Sequence, residues 1–417
     1  MINMDCISPR VLEMAERAEK RVLGIFRQID DNALMNSARV LSAFRNNRVD
    51  ESCFHGTTGY GYSDRGRQVL GRVFADIFGG EDGAAGASFV SGTHAITCGL
   101  FGALRPGDTL ISAVGAPYDT LMTVIKGKEA VGTLESYGVH YTEIPLTEDL
   151  KPDVTAIEQE CARIRSGAVL IQRSRGYSQR DSLSVEEIGK LTAAVKNANP
   201  ALKVLVDNCY GEFVETSEPG FAGADLVMGS LIKNPGGGIA PMGGYLVGLS
   251  ELVDAGCQRL TVPGIGRESG ASLDTLRPMF QGIFLAPHVT AQALKTAVFC
   301  AAIMEDLGYG TLPGSTDTRH DITQMIRFGD AQTLCRFCEG IQAASPVDSY
   351  VTPVPWDMPG YDCPVIMAAG SFVQGASIEL SCDGPMREPY CAYMQGGITY
   401  ESGKLGVMIA ISRFFDK

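Results

Sequence analysis

The stretch that decides the fold is GSLIKNPGGGIAPMGGYLVG, residues 229–248. The apolar run before it, ADLVMG at 224–229, predicts a buried strand that ends near Gly229. Ser230 and Lys233 follow this strand, and three consecutive glycines come soon after. A lysine at this place is poorly positioned to serve solubility, but it is well positioned to form a Schiff base with a carbonyl cofactor. The alternative is an ordinary exposed lysine in a loop.

Short, uninterrupted apolar runs recur in the first 300 residues, and amphipathic helical stretches separate several of them. Strands that are apolar along their whole length are typical of a mostly parallel sheet covered by helices on both faces. In such a sheet, ligands bind at the carboxyl ends of the strands. The other runs that predict strands are ASFV (87–90), TLISAV (109–114), AVLIQ (168–172) and KVLVD (203–207).

Helix signals lie between and around these strands. The pair Ser8-Pro9 predicts the cap and first residue of an N-terminal helix, and a second helical stretch covers 32–48. A capping box that begins at Ser184 opens another helix. The segment 287–307 predicts one long helix.

The composition shifts after this long helix. A helix around 328–342 and strand-like runs at GASIELSC (375–382) and KLGVMIAIS (404–412) predict a smaller α+β domain. The expected division is therefore N-terminal helices and an active-site loop at 1–65, a large α/β domain at 66–300 and a small C-terminal domain at 301–417.

Charge and composition exclude several classes of protein. The 417 residues carry a net charge of −13 and contain no basic run, which argues against nucleic-acid binding. The chain shows no signal-peptide pattern, and no uncharged run approaches about 18 apolar residues, so we expect a cytoplasmic protein without a membrane span. The twelve cysteines contain a single CxxC, at Cys335 and Cys338, which predicts reduced thiols and no metal site.

Two candidate cofactor ligands lie at the end of the strand KVLVD. Asp207 is its last residue, and a carboxylate there can bond to a protonated pyridine nitrogen. Tyr210, three residues on, can hydrogen-bond the phenolic oxygen of the same cofactor. The alternatives are a turn or cap aspartate and a half-buried packing tyrosine.

The segment SGTHA, which begins at Ser91, predicts a phosphate site. It lies between a strand-like run and a helical stretch, and backbone N–H groups at a helix N-terminus bind phosphate. Gly92 allows a close approach of the backbone, and Ser230 can donate its hydroxyl group to the phosphate. The alternative is a simple strand-to-helix turn in which Ser91 or Thr93 caps the helix. Neither a dinucleotide-binding fingerprint nor a Walker A sequence is present.

Further candidates lie on separate segments. Tyr118, in GAPYDTL, follows another strand and can stack on a pyridine ring. Arg387, in SCDGPMREPY, can bind the carboxylate of an amino acid through its bidentate fork. The loop that contains Tyr60 and Arg65 is rich in Tyr and Arg and can complete a phosphate site across a dimer. A packing tyrosine, a surface arginine and a solvated loop are the respective alternatives.

Taken together, the order of these elements resembles the fold-type-I enzymes that depend on pyridoxal 5′-phosphate (PLP), particularly the lyases of Cys/Met metabolism. The resemblance is closest to the methionine γ-lyase-like, or aluminium-resistance, proteins and covers almost the whole chain. It implies an α/β, PLP-dependent transferase-like fold, with a mostly parallel seven-stranded sheet in the large domain and a smaller α+β C-terminal domain. The strings that carry it are FHGTTGYGY (54–62), SGTHA (91–95), GSLIKNPGGGIAP (229–241) and IELSCDGPMREPYCAYMQGG (378–397).

The resemblance also implies a role for each candidate. Lys233 is then the Schiff-base lysine and moves the proton at Cα, Asp207 pairs with the pyridine nitrogen, and Tyr118 stacks on the ring and acts in acid–base catalysis. Gly92, Thr93 and Ser230 bind phosphate, and Arg387 binds the substrate carboxylate. The chain departs from the better-known lyases at two places. Ile232 precedes the lysine where those lyases tend to have Ser or Thr, so one phosphate donor must come from elsewhere. YGYSDRGR (60–67) replaces the Tyr-x-Arg of their dimer loop, so the Tyr and Arg that reach the phosphate stay undetermined.

The expected activity is β- or γ-elimination on a sulfur amino acid by a carbon–sulfur lyase. Only the resemblance favours elimination over transamination or aldol cleavage, so a PLP aminotransferase or aldolase is the first alternative. A PLP-binding protein without catalysis is the second. The dimer loop predicts a homodimer or homotetramer with active sites at the subunit interface.

Overall fold

Within the described residues, two β-sheets organise the chain. The computed structural model describes residues 7–127, 131–358 and 361–415, so Cys6 and the remaining end and linker residues lie outside the described part. The helices are α1 (Pro9–Asn46), α2 (Arg65–Phe78), α3 (Gly92–Ala103), α4 (Asp119–Ile125), α5 (Val154–Arg163), α6 (Val185–Ala198), α7 (Ser250–Cys257), α8 (Leu276–Asp306), α9 (Ala331–Ala343) and α10 (Tyr400–Ser412). The strands are β1 (Asp82–Gly86), β2 (Thr109–Ser112), β3 (His140–Glu143), β4 (Gly167–Gln172), β5 (Lys203–Asp207), β6 (Leu226–Ser230), β7 (Gly244–Gly248), β8 (Gly310–Leu312), β9 (Gln324–Arg327), β10 (Val365–Ala368), β11 (Ser381–Pro385) and β12 (Cys391–Gln395).

The larger sheet has seven strands in the order β1-β7-β6-β5-β4-β2-β3. The five strands from β6 to β3 run parallel, and β7 is antiparallel to both of its neighbours. Strands β4, β6 and β7 are buried at every position, as their uninterrupted apolar sequences predict. The prediction of a mostly parallel seven-stranded sheet is therefore confirmed.

Helices cover both faces of this sheet. One apolar core joins the sheet to α2, α5, α6 and the first turns of α8, and a second core joins its other face to α3, α4 and α7. The predicted capping box is present, because Ser184 accepts from the Glu187 N–H and Glu187 accepts from the Ser184 N–H. Ser8 likewise caps α1, with Pro9 as its first residue.

The smaller sheet is antiparallel, in the order β10-β11-β12-β9-β8, and packs with α9 and α10 in a third core. Helix α8 contributes to both this core and that of the large sheet, and it crosses the predicted domain boundary at residue 300. By length and composition alone α8 could cross a membrane, but 72% of its most apolar window is buried inside the protein. Packing between the two domains therefore accounts for its apolar sequence.

Several local predictions are wrong. The run ASFV (87–90) forms the turn before α3, and the strand is the preceding DGAAG of β1, whose small residues hid it. The run 375–382 is mostly turns, since β11 begins at Ser381. The run 404–412 lies in α10, where burial on several sides conceals the helical period. The stretch 32–48 is not a separate helix, because α1 continues unbroken to Asn46.

Candidate active site

Lys233 lies just beyond the carboxyl end of β6, at the start of the short 3₁₀ helix Asn234–Gly236. Its side chain is half-buried, and its Nζ is 3.8 Å from the centroid of the Tyr210 ring. Asn234 fixes this pair, because its Nδ2 donates to the Tyr210 carbonyl at 3.0 Å and to the Glu212 carbonyl at 2.9 Å. The loop after β5 and the lysine after β6 are thus held together.

The charges of Lys233 and Asp207 influence each other. Burial lowers the pKa of Lys233, but attraction by Tyr210, Cys209 and Asp207 outweighs this effect and raises it above the ordinary value. Burial raises the pKa of Asp207, and Lys233 offsets only part of that rise. Asp207 is 3% exposed, and its Oδ1 accepts from the Cys209 N–H at 3.1 Å. A buried carboxyl of this kind favours a proton-donating or cationic partner.

The N-terminus of α3 lies against the end of β6. A Cβ placed on Gly92 would be 2.7 Å from the Ser230 Cβ, so only glycine permits this approach. Ser91 caps the helix through an Oγ that accepts from the His94 N–H at 3.2 Å. The sequence offered a helix cap at Ser91 as the alternative to a phosphate site, and this cap is present. It leaves the first N–H groups of the helix beside Ser230.

Tyr118 joins this group from the N-terminal end of α4. Its hydroxyl is 3.2 Å from the Thr93 Oγ1, and its N–H donates to the Gln172 Oε1 at 3.0 Å. Burial raises the pKa of the Tyr118 hydroxyl, and the nearby Asp207 raises it further. Five residues predicted from four separate segments therefore meet at the carboxyl edge of the sheet: Thr93, Tyr118, Asp207, Tyr210 and Lys233.

Other predicted residues have different contacts in this chain. The Arg387 Nη1 pairs with Asp362 at 3.1 Å, and the arginine side chain is 48% exposed. Arg65 pairs with Asp50 at 2.6 Å, and the exposed ring of Tyr60 stacks on Tyr62 with centroids 5.6 Å apart. Assignment of these residues to substrate or phosphate stays a prediction.

The small domain contributes residues that the sequence did not reveal. Asp383, on β11, is half-buried, and burial raises its pKa to about 6 although Tyr177, Gln395 and Lys233 act to lower it. Ser377 reaches the same place, with its Oγ 3.1 Å from the Tyr210 hydroxyl. The sequence signal for Asp383 was an acidic residue inside a buried strand. The prediction, however, placed that strand several residues too early.

A model of the methionine gamma-lyase family matches residues 11–415. The uncharacterized protein YnbB of Bacillus subtilis (strain 168) is 48% identical over 405 residues, which are 97% of this chain and 96% of that protein.

Solved structures show the same fold as this chain. The carbon–sulfur lyase involved in aluminum resistance from Clostridium novyi NT is 46% identical, with a TM-score of 0.94 over 98% of this chain and 97% of that one. The pyridoxal-5′-phosphate dependent protein YhfS of Escherichia coli shares the fold at 17% identity, with a TM-score of 0.60 over 92% of this chain and 95% of that one. The predicted fold class is therefore confirmed.

Proposed function

The chain belongs to the methionine gamma-lyase family, and from this membership we propose that it is a PLP-dependent carbon–sulfur lyase. We further propose that its substrate is a sulfur amino acid and that the reaction is a β- or γ-elimination, as in cystathionine, methionine or cysteine cleavage. The observation that carries the proposal is the meeting of Lys233, Asp207 and Tyr118 at the carboxyl edge of the sheet.

The residues present fit the phosphate of PLP. The close approach of Gly92 to Ser230 forms a cradle that a Cβ would fill, beside the N-terminus of α3. Helix N-termini bind phosphate through free N–H groups and through the helix dipole. Ser91, Thr93 and Ser230 add hydroxyl groups, so we assign the phosphate to these residues.

The remaining groups fit the ring and the carbonyl carbon. Asp207, buried at the end of β5, would hold the pyridine nitrogen in its protonated form, and Tyr118 would stack on the ring. Tyr210 would donate to the phenolic oxygen, and Lys233 would bind the carbonyl carbon. When bound, PLP supplies an electron sink that stabilises negative charge at the substrate Cα.

The chain's own residues then orient the substrate and move protons. Lys233 would take the Cα proton once its amine is free and uncharged. Tyr118, whose hydroxyl stays protonated at neutral pH, would donate a proton to the departing group. Arg387 would exchange Asp362 for the substrate carboxylate.

The test combines absorbance with product analysis. The purified protein should show a band near ~420 nm that borohydride traps, and Lys233→Ala should lose it. An unchanged band in Lys233→Ala would overturn the assignment of the lysine. Release of thiol and keto acid from a sulfur amino acid supports the lyase, whereas transfer to an acceptor keto acid without thiol release supports an aminotransferase. Binding of PLP without turnover would support a non-catalytic protein.

We also propose a cytoplasmic homodimer or homotetramer with active sites at the subunit interface. The exposed, stacked rings of Tyr60 and Tyr62 support this proposal, because large aromatic side chains that solvent would otherwise surround are enriched at protein interfaces. The nearby Arg65 would then reach the phosphate of the neighbouring subunit.

A further inference from the structure

Three buried arginines lie where the loop after β4 packs against the loop before β9. Arg175 and Arg180 belong to the loop between β4 and α6, and Arg319 belongs to the loop between β8 and β9. Arg175 is 2% exposed, Arg180 3% and Arg319 7%. We call these three residues the arginine cluster. The reaction proposed above uses none of them.

Hydrogen bonds bring Arg175 and Arg319 to one place. The Arg175 Nη1 donates to the Leu312 carbonyl at 3.1 Å. The next carbonyl along the chain, that of Pro313, accepts from the Gln324 Nε2 at 3.0 Å, and the Gln324 Oε1 accepts from the Arg319 Nη2 at 2.6 Å. The two guanidinium groups are therefore linked through two adjacent residues of the small domain.

Arg180 is held beside Arg175 by the backbone of the same loop. Its Nη2 donates to the Gln172 carbonyl at 2.8 Å and to the carbonyl of Ser174, the residue before Arg175. Its Nη1 donates to the Asp181 carbonyl at 2.8 Å. These acceptors are neutral carbonyl groups, so they satisfy N–H groups without balancing the positive charge.

The cluster lacks partners for the rest of its donors and for its charge. Among the residues that the structure describes, the Nε and Nη1 of Arg319 and the Nε of Arg175 have no hydrogen-bond acceptor. Within the same residues, no carboxylate is close enough to form an ion pair with any member of the cluster, whereas the neighbouring Arg173 pairs with Glu215 at 2.7 Å. Buried charges in proteins are normally paired, because removing a charge from water is costly.

One buried carboxylate lies beside the cluster. Asp321 is 1% exposed, its Oδ1 accepts from the Thr323 N–H at 2.9 Å, and its Oδ2 accepts from the Ser182 hydroxyl. Burial lowers the pKa of Arg180 and of Arg319 to about 10, so both stay charged at neutral pH. Three buried positive charges therefore face one buried negative charge.

Exposed carboxylates compensate only part of this excess. Asp181 and Asp317 are the nearest of them in the two loops, but solvent surrounds their side chains and weakens their effect. Asp181 is moreover paired with Lys151 at 3.0 Å. The remaining charge calls for an anion enclosed among the arginines. Enclosure favours a small ion with a single charge, because the cost of removing an ion from water rises steeply with its charge.

We propose that the arginine cluster binds a small monovalent inorganic anion of the halide class between the β4–α6 loop and the β8–β9 loop. The anion would accept hydrogen bonds from the Arg319 Nε and Nη1 and from the Arg175 Nε, and it would hold the two loops together. This inference is independent of the proposed lyase activity.

Thermal unfolding of the purified full chain tests the inference. The midpoint should be about 2–4 °C higher in about 0.3 M sodium chloride than in sodium gluconate at the same concentration, because a ligand bound only by the folded state stabilises it. Gluconate is too large to be enclosed. Arg319→Met should lose this difference and should be at least as stable as the wild type in gluconate, since an unbalanced buried charge is removed. The exposed Arg327 on β9 gives the control, and Arg327→Met should keep the difference.

If Arg319→Met does not fold, Arg175→Met serves as the second variant, with the same expectation. Equal midpoints of the wild type in the two salts, or a chloride effect that persists in Arg319→Met, would overturn the inference. Competition between chloride and a sulfur amino acid in steady-state kinetics would overturn it as well, because the arginines would then belong to the substrate site.

Discussion

A Cβ on Gly92 would lie 2.7 Å from the Cβ of Ser230, so the N-terminus of α3 packs directly against the end of β6. This contact joins two segments that are more than a hundred residues apart in the chain. It also fixes the spacing between the helix N–H groups and the Ser230 hydroxyl. The proposed phosphate site therefore depends on residue 92 being a glycine, which has no side chain.

Gly92→Ala should weaken cofactor binding by at least about tenfold, because the added methyl group forces α3 away from Ser230. Titration of the apoprotein with PLP, followed by absorbance, measures the change. Gly189→Ala in α6 is the matched control. Its Cβ meets the Ala222 Cβ at 3.4 Å, an ordinary contact, so affinity should stay unchanged and stability should rise by up to about 1 kcal/mol. Equal affinity in Gly92→Ala and the wild type would contradict the assigned phosphate site.

A buried carboxyl near the site should make stability depend on pH. Burial raises the pKa of Glu212 to about 8, and its Oε1 accepts from the Tyr245 hydroxyl at 2.9 Å while its Oε2 has no hydrogen-bond partner among the described residues. A carboxyl whose pKa is raised on folding favours the folded state below its unfolded pKa. This contribution is lost as the pH rises from about 4.5 towards about 8, by up to about 1.4 kcal/mol per pH unit.

Glu212→Gln removes this titration. Urea unfolding at pH 5, 6.5 and 8 should therefore show the variant gaining stability relative to the wild type as the pH rises. The exposed Glu13 gives the control, because Glu13→Gln should follow the wild-type curve at all three values. Parallel curves for Glu212→Gln and the wild type would show that Glu212 has an ordinary pKa.

The sequence predicted the parts of the site that follow directly from strand ends. Lys233, Asp207 and Tyr118 were predicted to lie near one another because an uninterrupted apolar run stops shortly before or at each of them, and the carboxyl ends of parallel strands share one edge. Asp383 was missed for the converse reason. Its strand begins six residues later than the predicted one, and the Lys233–Asp383 proximity depends on how two domains pack.

Helix α10 shows a second limit of predicting structure from the sequence. Its residues 404–412 were predicted as a strand, because the run contains one lysine and otherwise small or apolar residues. The structure explains this pattern, since Gly403 approaches the Thr296 side chain of α8 and Gly406 approaches Leu380. Packing against neighbours on several sides removes the polar face from which helical periodicity is recognised.

Arg387→Ala should raise KM by about 10- to 100-fold with a smaller effect on kcat, if this arginine binds the substrate carboxylate as proposed. Steady-state kinetics on a sulfur amino acid separates the two parameters. Thermal unfolding should change little, because exposed ion pairs such as Arg387–Asp362 contribute about 0–1 kcal/mol. Arg327→Ala, on strand β9 of the same sheet, is the control and should keep the wild-type KM. An unchanged KM in Arg387→Ala would place the carboxylate elsewhere.

Mixed oligomers should reveal whether the Tyr60–Arg65 loop completes the site of another subunit. If it does, Arg65→Ala and Lys233→Ala each inactivate the protein alone, but a hybrid dimer contains one site with neither change. Random reassortment of equal amounts gives half hybrids, each with one intact site of two, so about one quarter of wild-type activity should return. Arg65 pairs with Asp50 in its own chain, so Asp50→Ala tests whether loss of that ion pair alone lowers activity. No recovery after mixing, with hybrids demonstrated by mass spectrometry, would place Lys233 and Arg65 in the same subunit's site.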